Sequence, residues 1–150
     1  MKVKFIHCQN PSEFSKKPLI PIIEKSFEKK IIHSFNLKQV VGVIYSENYS
    51  CVGLISKLDS IYYLDKLAVL KEFRGKGLGN ALLNEILSKY SPLIWRSSHL
   101  NPFLNFFKTK ATHTYKFKQW IIFEYNKSNS LVNNKIIRYL TNKKSDFEKM

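Results

Sequence analysis

The sequence predicts a single α/β (α+β) domain over residues 1–150, and three observations predict it. Residues 61–70, IYYLDKLAVL, are rich in β-branched, aromatic and aliphatic side chains, as buried strands are. The glycine-rich turn Arg74-Gly75-Lys76-Gly77-Leu78-Gly79 follows. Apolar residues then recur at Leu78, Ala81, Leu82 and Ile86, the 3.6-residue period of a helix packed on a sheet. Three of the chain's five glycines fall within residues 75–79. Glycine is costly in chain entropy, so such clustering marks unusual dihedrals or a backbone that something approaches closely. A helix whose first turn is left bare offers unpaired N–H groups and the positive end of its dipole. That is an anion site, most simply for phosphates.

The other elements follow in chain order. Residues 3–8 alternate and form a first strand. Pro11 and Pro18 bracket a loop or short helical turn. Over 20–35, apolar residues at Ile22, Ile23, Phe27, Ile31 and Ile32 predict an amphipathic helix with Pro21 in its first turn. Strands at 39–45 and 51–56 are joined by the polar turn Ser46-Glu47-Asn48-Tyr49, a hairpin. The strand at 61–70 is therefore the fourth, and the glycine loop comes directly after it. Ser91-Pro92 ends the glycine helix, and 93–96 is a short buried strand. Residues 101–109 read as a helix around Phe103, Phe106 and Phe107, and 115–125 as one long strand. A last helix spans 131–140, and 142–150 is a frayed basic tail.

Composition narrows the function. A chain of 150 residues that is 44% hydrophobic can bury a sizeable core. The net charge of +14 suggests nucleic acid, but of 25 basic residues only Arg74, Arg96 and Arg138 are arginines. Surfaces that grip phosphates and read bases favour the planar fork of Arg, so the charge fits steering of anionic ligands better. Cys8 and Cys51 are too few for a disulfide scaffold. With His7, His33, His99 and His113 they also lack zinc spacing, so no metal is expected. Residues 1–4 lead into a strand pattern instead of a signal peptide, and no run is long and apolar enough to span a membrane. A cytoplasmic protein is expected, and a homodimer is compatible with that.

Spacing decides which phosphate carrier the loop suits. In the P-loop pattern the second glycine precedes Lys and Ser or Thr, but Asn80 and Ala81 follow Gly79. The dinucleotide fingerprint wants glycine where Asn80 stands. The pattern that fits is Arg/Gln-x-x-G-x-G/A after a strand ending Leu67-Ala68-Val69. This resembles the pyrophosphate loop of the GNAT acetyltransferases. Tyr63-Leu64-Asp65-Lys66, Trp95-Arg96-Ser97, Asn101-Pro102, Lys118-Gln119-Trp120-Ile121 and the turn at 45–49 narrow it further. Over roughly residues 40–146 the chain is similar to the acetyltransferase domain of vertebrate-like N-acetylglutamate synthases.

The resemblance implies a mixed, mostly antiparallel sheet flanked by helices, with acetyl-CoA as co-substrate. It implies that the amides of Arg74, Gly75, Lys76, Gly77, Leu78 and Gly79 hold the pyrophosphate, and that the strand Leu67, Ala68, Val69 pairs with the pantetheine. Lys66, Arg96 and Asn101 then line the acceptor site, Lys66 and Asn101 taking part in the chemistry. The acceptor is a small amine or amino acid, glutamate first. An α-amino dicarboxylate needs fixed cations, which Lys66 and the fork of Arg96 supply, while the Asn101 amide can orient the amine or acetyl oxygen. Asp65, a water chain or His99 could take the amine proton. Trp95 and Trp120 read as core. Two departures stand out: Ser98 replaces a second arginine, and Phe106 falls where the family has a tyrosine near the reacting amine. Tyr62, Tyr63 or Tyr115 could supply that phenol, though strand parity puts Tyr62 and Tyr63 on opposite faces. Another amine, a protein amino group, or a non-catalytic binding role stays open.

Overall fold

The computed structural model describes residues 3–14, 16–32, 35 and 39–148. Its strands are β1 (Phe5–Cys8), β2 (Val40–Ser46), β3 (Cys51–Leu58), β4 (Ile61–Val69), β5 (Leu93–Ser98), β6 (His113–Phe117) and β7 (Trp120–Tyr125). They make one sheet in the order β1-β2-β3-β4-β5-β7-β6. Among the described residues only β4 and β5 pair in parallel, and every other neighbouring pair is antiparallel. The helices are α1 (Pro11–Phe14), α2 (Leu19–Phe27), α3 (Leu78–Lys89), α4 (Leu104–Lys110) and α5 (Asn134–Asn142). Among the described residues no helix is long and apolar enough to cross a membrane.

Strand alternation sends side chains to two cores. Ile44, Cys51, Ile55 and Leu64 pack with Leu82, Leu83 and Ile86 of α3 on one face. Val43, Val52, Leu54 and Ala68 pack with Leu19, Ile22 and Ile23 of α2 on the other. Beside α2, Ile61, Tyr63, Ile94 and Ile122 bury Ile136 and Leu140 of α5. The β2–β3 turn is held by the Ser46 hydroxyl, which accepts the N–H groups of Ser50 at 2.8 Å and Cys51 at 3.1 Å. Gly42 in β2 lets Tyr90 close the α3 side: a Cβ there would sit 1.8 Å from the phenolic oxygen and 2.6 Å from Cζ. That hydroxyl is also bound to His7 Nε2 at 2.6 Å, and the ring packs edge-on against Tyr62. Gly42→Ala should therefore lower stability by about 1–3 kcal/mol, the usual cost of overpacking. Thermal unfolding measures it, and an unchanged Tm would mean that Tyr90 can move aside.

Four expected elements differ most from the observed ones. The helix expected over 20–35 ends at Phe27, because Glu28 turns left-handed at φ 55° and the Lys29 N–H closes on the Glu24 carbonyl. Residues 33 and 34 of that expectation lie outside the described residues. The strand expected over 115–125 is the hairpin β6–β7, turned at Lys118 with φ 55° and no glycine or proline to signal it. Helix α4 starts at Leu104, after the Asn101 side chain accepts the Phe103 N–H at 2.9 Å. Helix α5 starts three residues later than expected, capped by Asn133 Oδ1 on the Ile136 N–H.

The tail is the largest correction. Residues 143–148 do not fray. Phe147 bridges Ile31 in a short antiparallel contact, the Ile32 N–H donates to the Asp146 carbonyl at 2.8 Å, and the Glu148 N–H donates to the Lys30 carbonyl at 2.7 Å. A basic composition suggested solvation, but the segment carries Asp146 and Phe147, and both find partners near the sheet. Residues 149 and 150 lie outside the described residues.

Candidate active site

The site begins with one extra residue in β4. Leu54 pairs with Lys66 while Ile55 pairs with Leu64, so Asp65 is a β-bulge. In an unbroken strand Asp65 and Lys66 would point to opposite faces. The bulge sends both to the α2 and α5 side, where Lys66 Nζ meets Asp65 Oδ1 at 2.7 Å. Bulges also bend and twist the strand that carries them. Accordingly β4 touches β5 only at Tyr62↔Leu93 and Tyr63↔Ile94, and beyond that point the strands part. A cavity of about 600 Å³ opens in the gap. Among its lining residues Leu64, Lys66, Leu67 and Val69 come from β4, and Trp95 to Ser98 from β5.

At one end lies the glycine loop. Gly75 and Gly77 take φ of 77° and 80°, values that strain any residue with a Cβ. A Cβ on either would meet nothing within 4 Å, so open space borders the loop. Gly77 is the N-cap of α3 and no side chain caps the first turn. Arg74 latches the loop in place: Nε donates to the Val69 carbonyl at 3.0 Å and Nη2 to the Ser26 carbonyl at 2.7 Å. Its guanidinium is spent on position, and its own N–H donates to the Lys71 carbonyl at 3.2 Å, so the expected role of the Arg74 amide passes to the amides that follow it. Of the residues expected at this end, Leu67, Val69, Arg74, Gly75, Gly77, Leu78 and Gly79 line the cavity. Ala68 packs toward α2, and the Lys76 ammonium lies over the Phe73 ring.

At the other end Lys66, Arg96 and Asn101 come together on the lining. Lys66 is only 8% exposed, yet its ammonium meets two carboxylates, Asp65 and Asp146, each at 2.7 Å. Burial pushes the Asp146 carboxyl up, but hydrogen bonds from Lys66 and Lys143 outweigh it and hold it below the usual carboxylate range. Arg96 stacks 4.0 Å from the Trp120 ring centroid, and its Nη1 donates to the carbonyls of Leu140 and Lys143. It thereby caps the C-terminal end of α5. Trp95 is core, stacked on Phe123, and also walls the cavity, as does Trp120.

Of the three phenols named above, only Tyr63 lines the cavity. Tyr62 packs on Tyr90, and the Tyr115 hydroxyl is bound to Ser130 and Glu124. Burial pushes the Tyr63 hydroxyl well above its ordinary pKa, so it stays a neutral donor. His99 lies off the lining, its ring nitrogen on the Gln119 carbonyl. Lys143, Asp146 and Phe147 belong to the site and were missed by sequence reasoning. Their one signal was an acid and an aromatic side by side in a basic run.

A sheet split between two parallel strands, with a bare helix N-terminus at the mouth of the split, defines the GNAT class of acyltransferases. Solved structures with the same fold include a GNAT family acetyltransferase from Elizabethkingia anophelis with acetyl-CoA bound. Its TM-score is 0.58 at 13% identity, over 83% of this chain and 97% of that one. The IAA acetyltransferase from Bacillus cereus gives 0.60 at 11% identity, over 82% and 99%. Over residues 6–143 the sequence matches the family described as NAT, N-acetyltransferase, of N-acetylglutamate synthase, and the chain belongs to that family. An acetylglutamate kinase from Xylella fastidiosa is 35% identical over 103 residues, 68% of this chain and 24% of that protein. The mitochondrial N-acetylglutamate synthase of Danio rerio is 30% identical over 111 residues, 70% of this chain and 21% of that protein. These matches span about a quarter of the relatives' length. The family and fold expected from the loop motif are borne out.

Proposed function

We propose that this chain transfers the acetyl group of acetyl-CoA to the amino group of a small amino acid, with glutamate the first candidate. The observation that carries this reading is one cavity with a bare helix N-terminus at one end and a buried lysine holding a carboxylate at the other. GNAT acetyltransferases use acetyl-CoA, and the residues present fit it. The amides from Gly75 to Gly79 suit a pyrophosphate, with positive-φ glycines bordered by open space. The edge of β4 that β5 leaves free at Leu67 to Val69 suits the pantetheine, and an amide there can polarise the thioester carbonyl.

The amine attacks the carbonyl carbon, the C–O double bond opens to an oxyanion, and its return expels the CoA thiolate. Positioning alone can supply ~7–11 kcal/mol of the barrier. The amine's proton leaves through water, because Asp65 already accepts from Lys66 Nζ at 2.7 Å. Tyr63 serves as a hydrogen-bond donor at the apex of the split, since a phenol of raised pKa keeps its proton. Tyr63→Phe should lower kcat about tenfold, the worth of one good hydrogen bond near 1.4 kcal/mol. Phe106→Tyr, which restores the family's hydroxyl on the cavity wall, should raise kcat with little change in acceptor KM. Steady-state assays of both variants check this, and an unchanged kcat in both would remove phenols from the mechanism.

One observation favours a second acceptor. Arg96 is committed to two backbone carbonyls, which leaves the site better matched to one carboxylate than to two. A monocarboxylic amino acid is then the competing substrate. A CoA-release screen over glutamate, other amino acids and polyamines separates the two. No release with any amine would sink the reading.

A further inference from the structure

The segment 143–148 closes over the acceptor end of the cavity and carries its own carboxylate there. Asp146 Oδ2 accepts from Lys66 Nζ at 2.7 Å and from Lys143 Nζ at 2.9 Å. Asp65 completes the group, 2.7 Å from Lys66 Nζ and 3.9 Å from Lys143 Nζ. Two ammonium groups thus balance two carboxylates in a largely dry place. Of the two, Asp65 is fixed in the sheet. Asp146 rides on a short segment tied, outside this ion group, by the Arg96 hydrogen bond to the Lys143 carbonyl, the Ile31↔Phe147 bridge, two flanking backbone hydrogen bonds and the Phe147 ring, 5.0 Å from that of Phe27. Segments with so few ties open far more readily than a strand does. Room to open exists. A second cavity of about 450 Å³, reaching Gln39, Lys57 and Tyr139, adjoins the first, and Asp146 lines both.

We propose that Lys66 and Lys143 form the subsite for the acceptor's carboxylate, and that Asp146 is a resident carboxylate which the acceptor displaces. The inference rests on the amino-acid reading above and deepens it. Charge decides the selectivity. An acceptor with a carboxylate replaces one anion by another and leaves the pairing intact. An acceptor without one, arriving in place of Asp146, leaves two ammonium groups facing Asp65 alone, and a buried unpaired charge is heavily penalised. The segment therefore screens out plain amines, and its release is coupled to arrival of the acceptor.

Hydrogen exchange of the full chain tests this directly, read at the Ile32 and Glu148 amides, which donate across the segment. Saturating L-glutamate should speed their exchange at least about tenfold, as opening of the segment exposes them, while putrescine should not. In steady-state assays Asp146→Asn should lower the KM for L-glutamate about tenfold and leave that for acetyl-CoA unchanged, since one charge-assisted hydrogen bond is removed from the competitor. Phe147→Ala should act in the same direction with every charge in place, which covers the case that the first variant fails to fold. If glutamate is acetylated while exchange stays fixed and neither variant lowers KM, the inference is overturned and the amino-acid reading stands. Faster exchange with glutamate but no CoA release supports the subsite and overturns glutamate as acceptor. Neither response overturns both.

Discussion

A Gly77→Glu variant is expected to show no thermal shift with acetyl-CoA, while the native chain gains stability from it. At a ligand concentration a hundred times Kd, binding to the native state contributes about 2.7 kcal/mol, or roughly 5–10 °C in Tm for a chain of this size. Two effects remove it. Gly77 sits at φ 80°, where a side chain is strained, and the space beside it is open. A carboxylate placed there would occupy the region proposed for the pyrophosphate and repel it. The unliganded variant should still fold, because nothing lies within 4 Å of the new Cβ. Differential scanning calorimetry with and without acetyl-CoA reads the result. No shift in the native chain at saturation would remove the acetyltransferase reading, and a full shift in the variant would move the phosphates elsewhere.

Lys66→Met should be the most damaging single change to stability. It removes the cation between Asp65 and Asp146 and leaves two nearby carboxylates with only Lys143, 3.9 and 2.9 Å away. Breaking a buried pair on one side typically costs about 3–5 kcal/mol. Adding Asp146→Asn to Lys66→Met should recover part of the loss, because the two changes act on one network. Urea denaturation of both variants measures it. A loss under 1 kcal/mol would mean that water screens the group. Among molecules that stay folded at low temperature, acceptor KM should rise about tenfold to a hundredfold with acetyl-CoA KM little changed, by the worth of a charge-assisted hydrogen bond.

Local chemistry in the sequence was enough to place the glycine loop, the strand before it and the helix after it, because each is written in adjacent residues. The family resemblance, and not local chemistry, pointed to Lys66, Arg96 and Asn101, which line one cavity. What escaped depends on distant partners. Nothing around Lys118 signals a turn, and the β6–β7 hairpin closes there because Phe117 and Trp120 pair across it. Arg96 looks free in sequence, but it caps a helix end more than forty residues away. Asp146 looks like a tail residue, but it completes an ion group begun at Asp65. Contacts of that separation leave no periodicity to detect.

The bulge at Asp65 gives β4 a slip in phase. Before it, even-numbered positions face α3 (Tyr62 and Leu64); after it, odd-numbered positions do (Leu67 and Val69). The orientation of the buried lysine is thus set by a residue count as well as by residue identity. A strand that ran through Asp65 without the bulge would keep a uniform alternation, send Lys66 and Ala68 into the apolar layer beneath α3, and turn Leu67 and Val69 to the opposite side. A chain keeping every side chain of the site would then present a methyl-lined wall where the ammonium now stands. Reading frame along this strand is therefore itself a functional property.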